Sequence, residues 1–78
     1  MTSVTVNINS IDKVKRFVSA ITSFDNDFDL VCDRYVIDAK SIMGIFSLDI
    51  SKPIDLNIHN ADNLDEIMEQ LQPYLVTE

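Results

Sequence analysis

Polar and apolar residues alternate in four short segments of the chain, and alternation of this kind is typical of strands with one buried face. These segments are residues 4–8, 28–33, 35–39 and 54–58. Asp33 and Arg34 form a polar pair where the second segment meets the third, which predicts a tight hairpin turn there. In the first segment we expect Val4, Val6 and Ile8 to point inward.

Other segments carry apolar residues at helical spacing. In residues 11–24 these are Val14, Phe17, Val18 and Ile21, and Ser10 stands directly before them as a natural N-cap. A second amphipathic helix is predicted from Asp62 onward, with acidic residues on its outer side. Pro73 should disturb or end that helix.

With a short helix over residues 41–48, the predicted order is β-α-β-β-α-β-α. This order indicates one α+β domain over residues 1–78, with a four-stranded antiparallel sheet covered by three helices on one face and open to water on the other. The predicted inward residues are Val4, Val6, Ile8, Val14, Phe17, Ile21, Leu30, Ile37, Leu56, Ile58, Leu64, Ile67 and Leu71.

The central helix contains more large apolar residues than one face can bury. Ile42, Met43, Ile45, Phe46 and Leu48 spread over roughly 220° of a helix circumference, whereas docking on a sheet needs a stripe of only about 100°. We therefore expect Ile45 and Leu48 to be buried, Met43 and Phe46 to be exposed, and Ile42 to lie at the margin. Exposed methionine and phenylalanine side by side suggest a surface that contacts a protein partner.

The composition narrows the possible functions. Thirteen acidic residues against six basic ones give a net charge of −7, so nucleic acid and anionic membranes are poor partners. The residues suggest no enzyme, cofactor or metal site, because the one cysteine, Cys32, and the one histidine, His59, lack ligand spacing. We expect His59 to be exposed and structurally idle. The single cysteine and the absence of a signal-peptide pattern in the first ten residues suggest the cytoplasm.

Lys40 to Leu48, KSIMGIFSL, resembles the regulatory-serine segment of HPr, the phosphocarrier of the bacterial phosphoenolpyruvate-dependent sugar phosphotransferase system. The resemblance extends without a gap from about Val4 to Ile58. It implies an open-faced sandwich with strand order 1-4-2-3, and it implies that Ser41 is phosphorylated by a dedicated ATP-dependent kinase. A serine at a helix start also suits this role, because free amides there favour a phosphate.

The same resemblance locates a missing motif. HPr carries phosphate on a histidine in a GxHARP-type string, and Ser10 falls at the place of that histidine. Asp12 and Lys13 replace the arginine and the proline of the string. A serine would form a stable ester rather than a labile phosphoramidate, and Asp12 would repel an incoming phosphoryl group.

We therefore expect a regulatory or adaptor protein of the HPr type, not a phosphohistidine carrier. Ser41 would be its switch, and Lys40, Ile42, Met43 and Phe46 would contact protein partners, among them an HPr-type serine kinase and a regulator or enzyme. One alternative is an interaction module that works without phosphorylation. A further, less favoured alternative is a true phosphocarrier in sugar uptake.

Overall fold

A computed structural model describes residues 2–60 and 62–76 of the chain. The elements follow the predicted order and consist of four strands, three α-helices and a terminal 3₁₀ turn. They are β1 (Thr2–Val6), α1 (Ile11–Thr22), β2 (Phe28–Cys32), β3 (Tyr35–Asp38), α2 (Ile42–Phe46), β4 (Ile54–Ile58), α3 (Leu64–Leu71) and the 3₁₀ turn (Gln72–Tyr74). No helix in this described part is long and apolar enough to cross a membrane.

The strands form one antiparallel sheet in the order β1-β4-β2-β3, which confirms the predicted fold and strand order. Leu56 in the central strand β4 pairs with Val4 on one side and with Leu30 on the other. Because side chains alternate across a sheet, these apolar partners share one face, and Asp55 and Asn57 project from the other. The result is the expected sheet with one covered face and one open face.

Helix α1 begins where the sequence predicts it. Ser10 is the N-cap, and its hydroxyl accepts a hydrogen bond from the Lys13 amide at 3.2 Å. The apolar stripe of α1 is buried, and Phe17 makes an edge-to-face contact with Tyr74, whose ring centroid lies 5.7 Å away. The helix ends at Thr22, two residues earlier than predicted, because the Phe24 amide already closes a turn on the Ile21 carbonyl.

One continuous core lies between the helices and the covered face of the sheet. Most of the predicted inward residues are fully buried, but Val4, Ile37 and Leu64 are only partly so. Ile45 is buried, as the spacing along α2 predicts. Five other buried residues were not on the list of predicted inward residues: Val18, Phe28, Ala39, Ile54 and Tyr74. Leu48 was expected to be buried and is only half-buried, because α2 ends at Phe46 and Leu48 follows its C-cap.

The two outer edges of the sheet differ in cover. Strand β1 stops at Val6, two residues before the predicted end, because Val6 pairs with Ile54, the first residue of β4. The segment after the 3₁₀ turn pairs with the outer side of β1 at Val6. The Asn7 amide donates to the Tyr74 carbonyl at 2.7 Å, and the Val76 amide donates to the Thr5 carbonyl at 3.0 Å. The outer edge of β3 has no such cover among residues 2–60 and 62–76.

A two-residue turn joins β2 to β3, since Cys32 pairs directly with Tyr35. Asp33 takes a φ of 54°, in the left-handed region that glycine adopts most easily and aspartate tolerates better than most residues. Arg34 is not among the residues with positive φ.

Replacing Asp33 with glycine should therefore raise the free energy of unfolding by roughly 0.5–1 kcal/mol, because the left-handed backbone carries no Cβ penalty for glycine. The matched variant Arg34→Gly should lower it by a similar amount, since it only adds freedom to the unfolded chain. Urea unfolding of both variants beside the native chain measures the difference. A stabilised Arg34→Gly with an unchanged Asp33→Gly would contradict this reading of the turn.

Candidate functional site

Helix α2 is the short element that carries the predicted regulatory serine. Ser41 is its N-cap, with extended backbone, and the Ser41 hydroxyl accepts a hydrogen bond from the Gly44 amide at 3.2 Å. The Ser41 carbonyl accepts from the Ile45 amide at 3.0 Å, the first helical bond. Ser47 closes the other end through its amide, so the helix is defined at both termini.

Gly44, the only glycine of the chain, marks a close approach between α2 and the sheet. A Cβ at this position would lie 3.2 Å from the Ser41 Oγ and 3.3 Å from the Ile37 Cδ1. Both distances are shorter than ordinary carbon contacts, so a side chain would push against the serine hydroxyl or against β3. Glycine therefore allows the serine cap and the close packing to coexist.

Burial along α2 divides its side chains as the spacing predicts. Ile45 is fully buried, whereas Met43 is 82% exposed, Phe46 is 40% exposed and Ile42 is 37% exposed. We call Ile42, Met43 and Phe46 the α2 patch. It is an apolar surface that begins one residue after the Ser41 hydroxyl.

Lys40 differs from the other predicted contact residues, because its charge is held within the protein. The Lys40 ammonium donates to the Phe24 carbonyl at 2.8 Å and lies 5.6 Å from the centroid of the Phe28 ring. The Lys40 amide donates to the Asp38 carboxylate at 2.9 Å. Lys40 thus ties the entrance of α2 to the end of α1 and to β2, a role that the sequence pattern does not reveal.

Ser10 and Asp12 lie in the first turn of α1, at the place where the resemblance puts the phosphocarrier motif. The Ser10 hydroxyl is occupied as an N-cap, and both residues are exposed. Lys13, Lys15 and Arg16 follow on the same helix, all exposed, as a solvated helix face would be.

His59 is not idle, and that prediction was wrong. Its Nε2 lies 2.7 Å from the Asp29 carboxylate, and both side chains are about one-third exposed. The two groups meet because β2 and β4 are neighbours and both side chains project from the open face of the sheet. The Asn26 side chain holds the neighbouring backbone in place, since its Nδ2 donates to the carbonyls of His59 and Asn60.

Residues 2–60 and 62–76 contain no group of three or more histidine, cysteine, aspartate or glutamate side chains placed to hold a metal ion. In the loop after α2, the Ser51 hydroxyl and then the Ser51 amide donate to the Asp49 carboxylate and hold the pKa of Asp49 below its ordinary value. These hydrogen bonds close a turn in the loop between α2 and β4.

No protein-family model and no curated protein matches the chain. Among solved structures, the chain is similar to HPr-C-His from Thermoanaerobacter tengcongensis, with a TM-score of 0.73 and 24% sequence identity over 92% of each chain. The chain has the fold of an HPr protein. At 24% identity this likeness concerns the fold.

Proposed function

We propose that this protein is a regulatory or adaptor protein of the HPr type, acting in the cytoplasm within the sugar phosphotransferase and carbon-regulation network. It binds protein partners through the α2 patch. The observation that carries this proposal is the exposure of Met43 and Phe46 on a helix whose opposite side is fully buried at Ile45. Adjacent exposed aromatic and methionine side chains are typical of the centre of a protein interface.

Ser41 is the proposed switch. In the resembling family segment this serine is the kinase target, and here it directly precedes the α2 patch. A phosphoserine adds nearly two negative charges and three acceptor oxygens. A partner that contacts Ile42 and Met43 would meet these charges at the edge of its footprint, so phosphorylation would change which partners bind.

A module that works without phosphorylation is the second candidate. It is favoured by the contact that the Ser41 hydroxyl already makes, because the serine serves as a helix cap without any phosphate. In that case the α2 patch alone determines the partner. Treatment with an HPr-type kinase separates the two candidates.

A phosphocarrier role has less support. Ser10 offers a hydroxyl where a carrier needs an imidazole nitrogen, and Asp12 places a negative charge beside it. His59 lies at the end of β4, outside any helix start, and is engaged with Asp29. The described residues therefore offer no replacement for the missing histidine.

Incubation with an HPr-type serine kinase and ATP should add one phosphate to the native chain, measured by intact mass. Ser41→Ala should abolish the labelling, and the fold should survive because loss of an N-cap costs about 1 kcal/mol. Ser47→Ala, at the other end of α2, is the matched control and should still be labelled. Labelling that persists in Ser41→Ala would refute the site, whereas an unlabelled native chain would favour the phosphorylation-independent module.

Truncation of the α2 patch should affect recognition more than stability. Met43→Ala and Phe46→Ala should each lower kcat/KM for kinase labelling by the equivalent of about 1–3 kcal/mol, as expected for interface anchors. Ile45→Ala, the buried neighbour, should instead lower the free energy of unfolding by about 2–5 kcal/mol. Thermal melts of the three variants test this division. If Phe46→Ala lowers the free energy of unfolding more than Ile45→Ala does, Phe46 belongs to the core and its assignment to the α2 patch is wrong.

Incubation with phosphoenolpyruvate and the first enzyme of the phosphotransferase system should leave no acid-labile phosphate on the native chain. Ser10→His alone should not restore transfer, because Asp12 still opposes the incoming charge. The double variant Ser10→His with Asp12→Arg tests that charge directly and should accept more phosphate than Ser10→His. Phosphohistidine on His59 of the native chain would overturn the proposal that the protein is not a carrier.

A further inference from the structure

The uncovered outer edge of β3 presents free backbone groups at Val36, whereas the Asp38 carbonyl already accepts from the Ser41 amide at 3.0 Å. The Ala39 amide donates to the Phe28 carbonyl at 2.9 Å, and the β2–β3 register, continued by one residue, makes these two direct partners. Hydrogen-bonded pairs alternate along an antiparallel ladder, so the next bonded residues of β3 are Ile37 and Tyr35. The backbone groups of Val36 therefore point away from β2, toward the outer edge.

The side chains along this edge are exposed and partly apolar. Tyr35 is 67% exposed and Val36 is 63% exposed, the two most exposed large apolar residues of the described chain outside the α2 patch. Arg34 and Asp38 flank them, both exposed, and Arg34 makes no ion pair within residues 2–60 and 62–76. An edge with unpaired backbone groups and apolar side chains is a template for another strand.

The sequence of β3 is complementary to itself. If a second β3 lies antiparallel with Val36 opposite Val36, Arg34, the turn residue directly before β3, comes next to Asp38 of the other copy. The Asp38 carboxylate also accepts from the Lys40 amide through Oδ1, which leaves its second oxygen for Arg34. Tyr35 of each copy then stands opposite Ile37, an aromatic and β-branched pair of the kind that stabilises neighbouring strands. Both charge pairs are of opposite sign, and the outward backbone groups of the two Val36 residues can bond to each other.

We propose that two copies of this chain pair through β3 in this register and form a continuous eight-stranded sheet with a two-fold axis at Val36. The interface is isologous, so each contact occurs twice. The segment from Tyr74 to Val76 pairs alongside Thr5 to Asn7 at the other edge of the sheet, whereas no segment of the described chain pairs with the outer edge of β3. Pairing over four residues buries little surface, so the dimer is weak and forms at high protein concentration.

Sedimentation velocity over a concentration series of the full chain tests the proposal. The native chain should shift from monomer to dimer as concentration rises. Arg34→Asp and Asp38→Arg, each alone, place like charges opposite one another and should weaken self-association by at least about tenfold. Mixing these two variants restores both opposite-charge pairs, because one copy carries two acids and the other two arginines at these positions. The mixture should therefore dimerise at concentrations at which neither component alone does.

Two further variants keep the test independent of folding. Val36→Pro removes an amide that β2 does not use, so it should abolish the dimer while far-ultraviolet circular dichroism stays native. Arg16→Asp makes the same charge change on α1 and should leave self-association unaltered. A native chain that stays monomeric at every concentration overturns the proposal. Dimerisation of Arg34→Asp or Val36→Pro with the affinity of the native chain would also overturn the proposal. A mixture of the two charge variants that remains monomeric would overturn it as well.

Discussion

Burial of a single apolar sheet face is the constraint on which the other features of this protein depend. Leu30 and Leu56 lie side by side on that face, and Asp29 and Asn57 alternate with them toward water. Helices can gain burial on one side only, so all three must share the area of four short strands. The short helix α2 covers the least of this face and buries only Ile45 fully. Its other apolar residues are exposed because no further sheet surface is available to cover them.

Periodicity was sufficient to predict the order of the elements and the single covered face of the sheet, whereas the strand order came from the family resemblance. In the strands every second residue faces the core, and in α1 and α3 every third or fourth residue does. The buried residues of these elements are the ones that this spacing predicts. Residues whose burial depends on contacts distant in sequence were missed. Tyr74 is buried beside Phe17, and β1 ends early because its partner strand β4 begins at Ile54, opposite Val6. The local sequence pattern predicts neither contact.

In the candidate site, too, features set by local spacing could be predicted from the sequence, and features set by distant contacts could not. Exposure of Met43 and Phe46 could be predicted, because it follows from counting apolar residues around one short helix. The position of the Lys40 ammonium could not, since its partners Phe24 and Phe28 come from the end of α1 and from β2. His59 was misjudged for the same reason. Its partner Asp29 is thirty residues away and becomes a neighbour only when β2 pairs with β4.

The single glycine links the sheet constraint to the serine. Ile37 lies at the edge of the covered face, and its Cδ1 comes within 3.3 Å of where a Cβ on Gly44 would be. The Ser41 Oγ lies 3.2 Å from the same point because it caps the amide of Gly44. A side chain at this position would require the Ser41 hydroxyl or the end of the Ile37 side chain to give way by a few tenths of an ångström. A shift of the hydroxyl would weaken the cap on the Gly44 amide. The absence of a side chain at Gly44 therefore lets β3 and the serine cap meet at the same point of α2, directly after the exposed Met43.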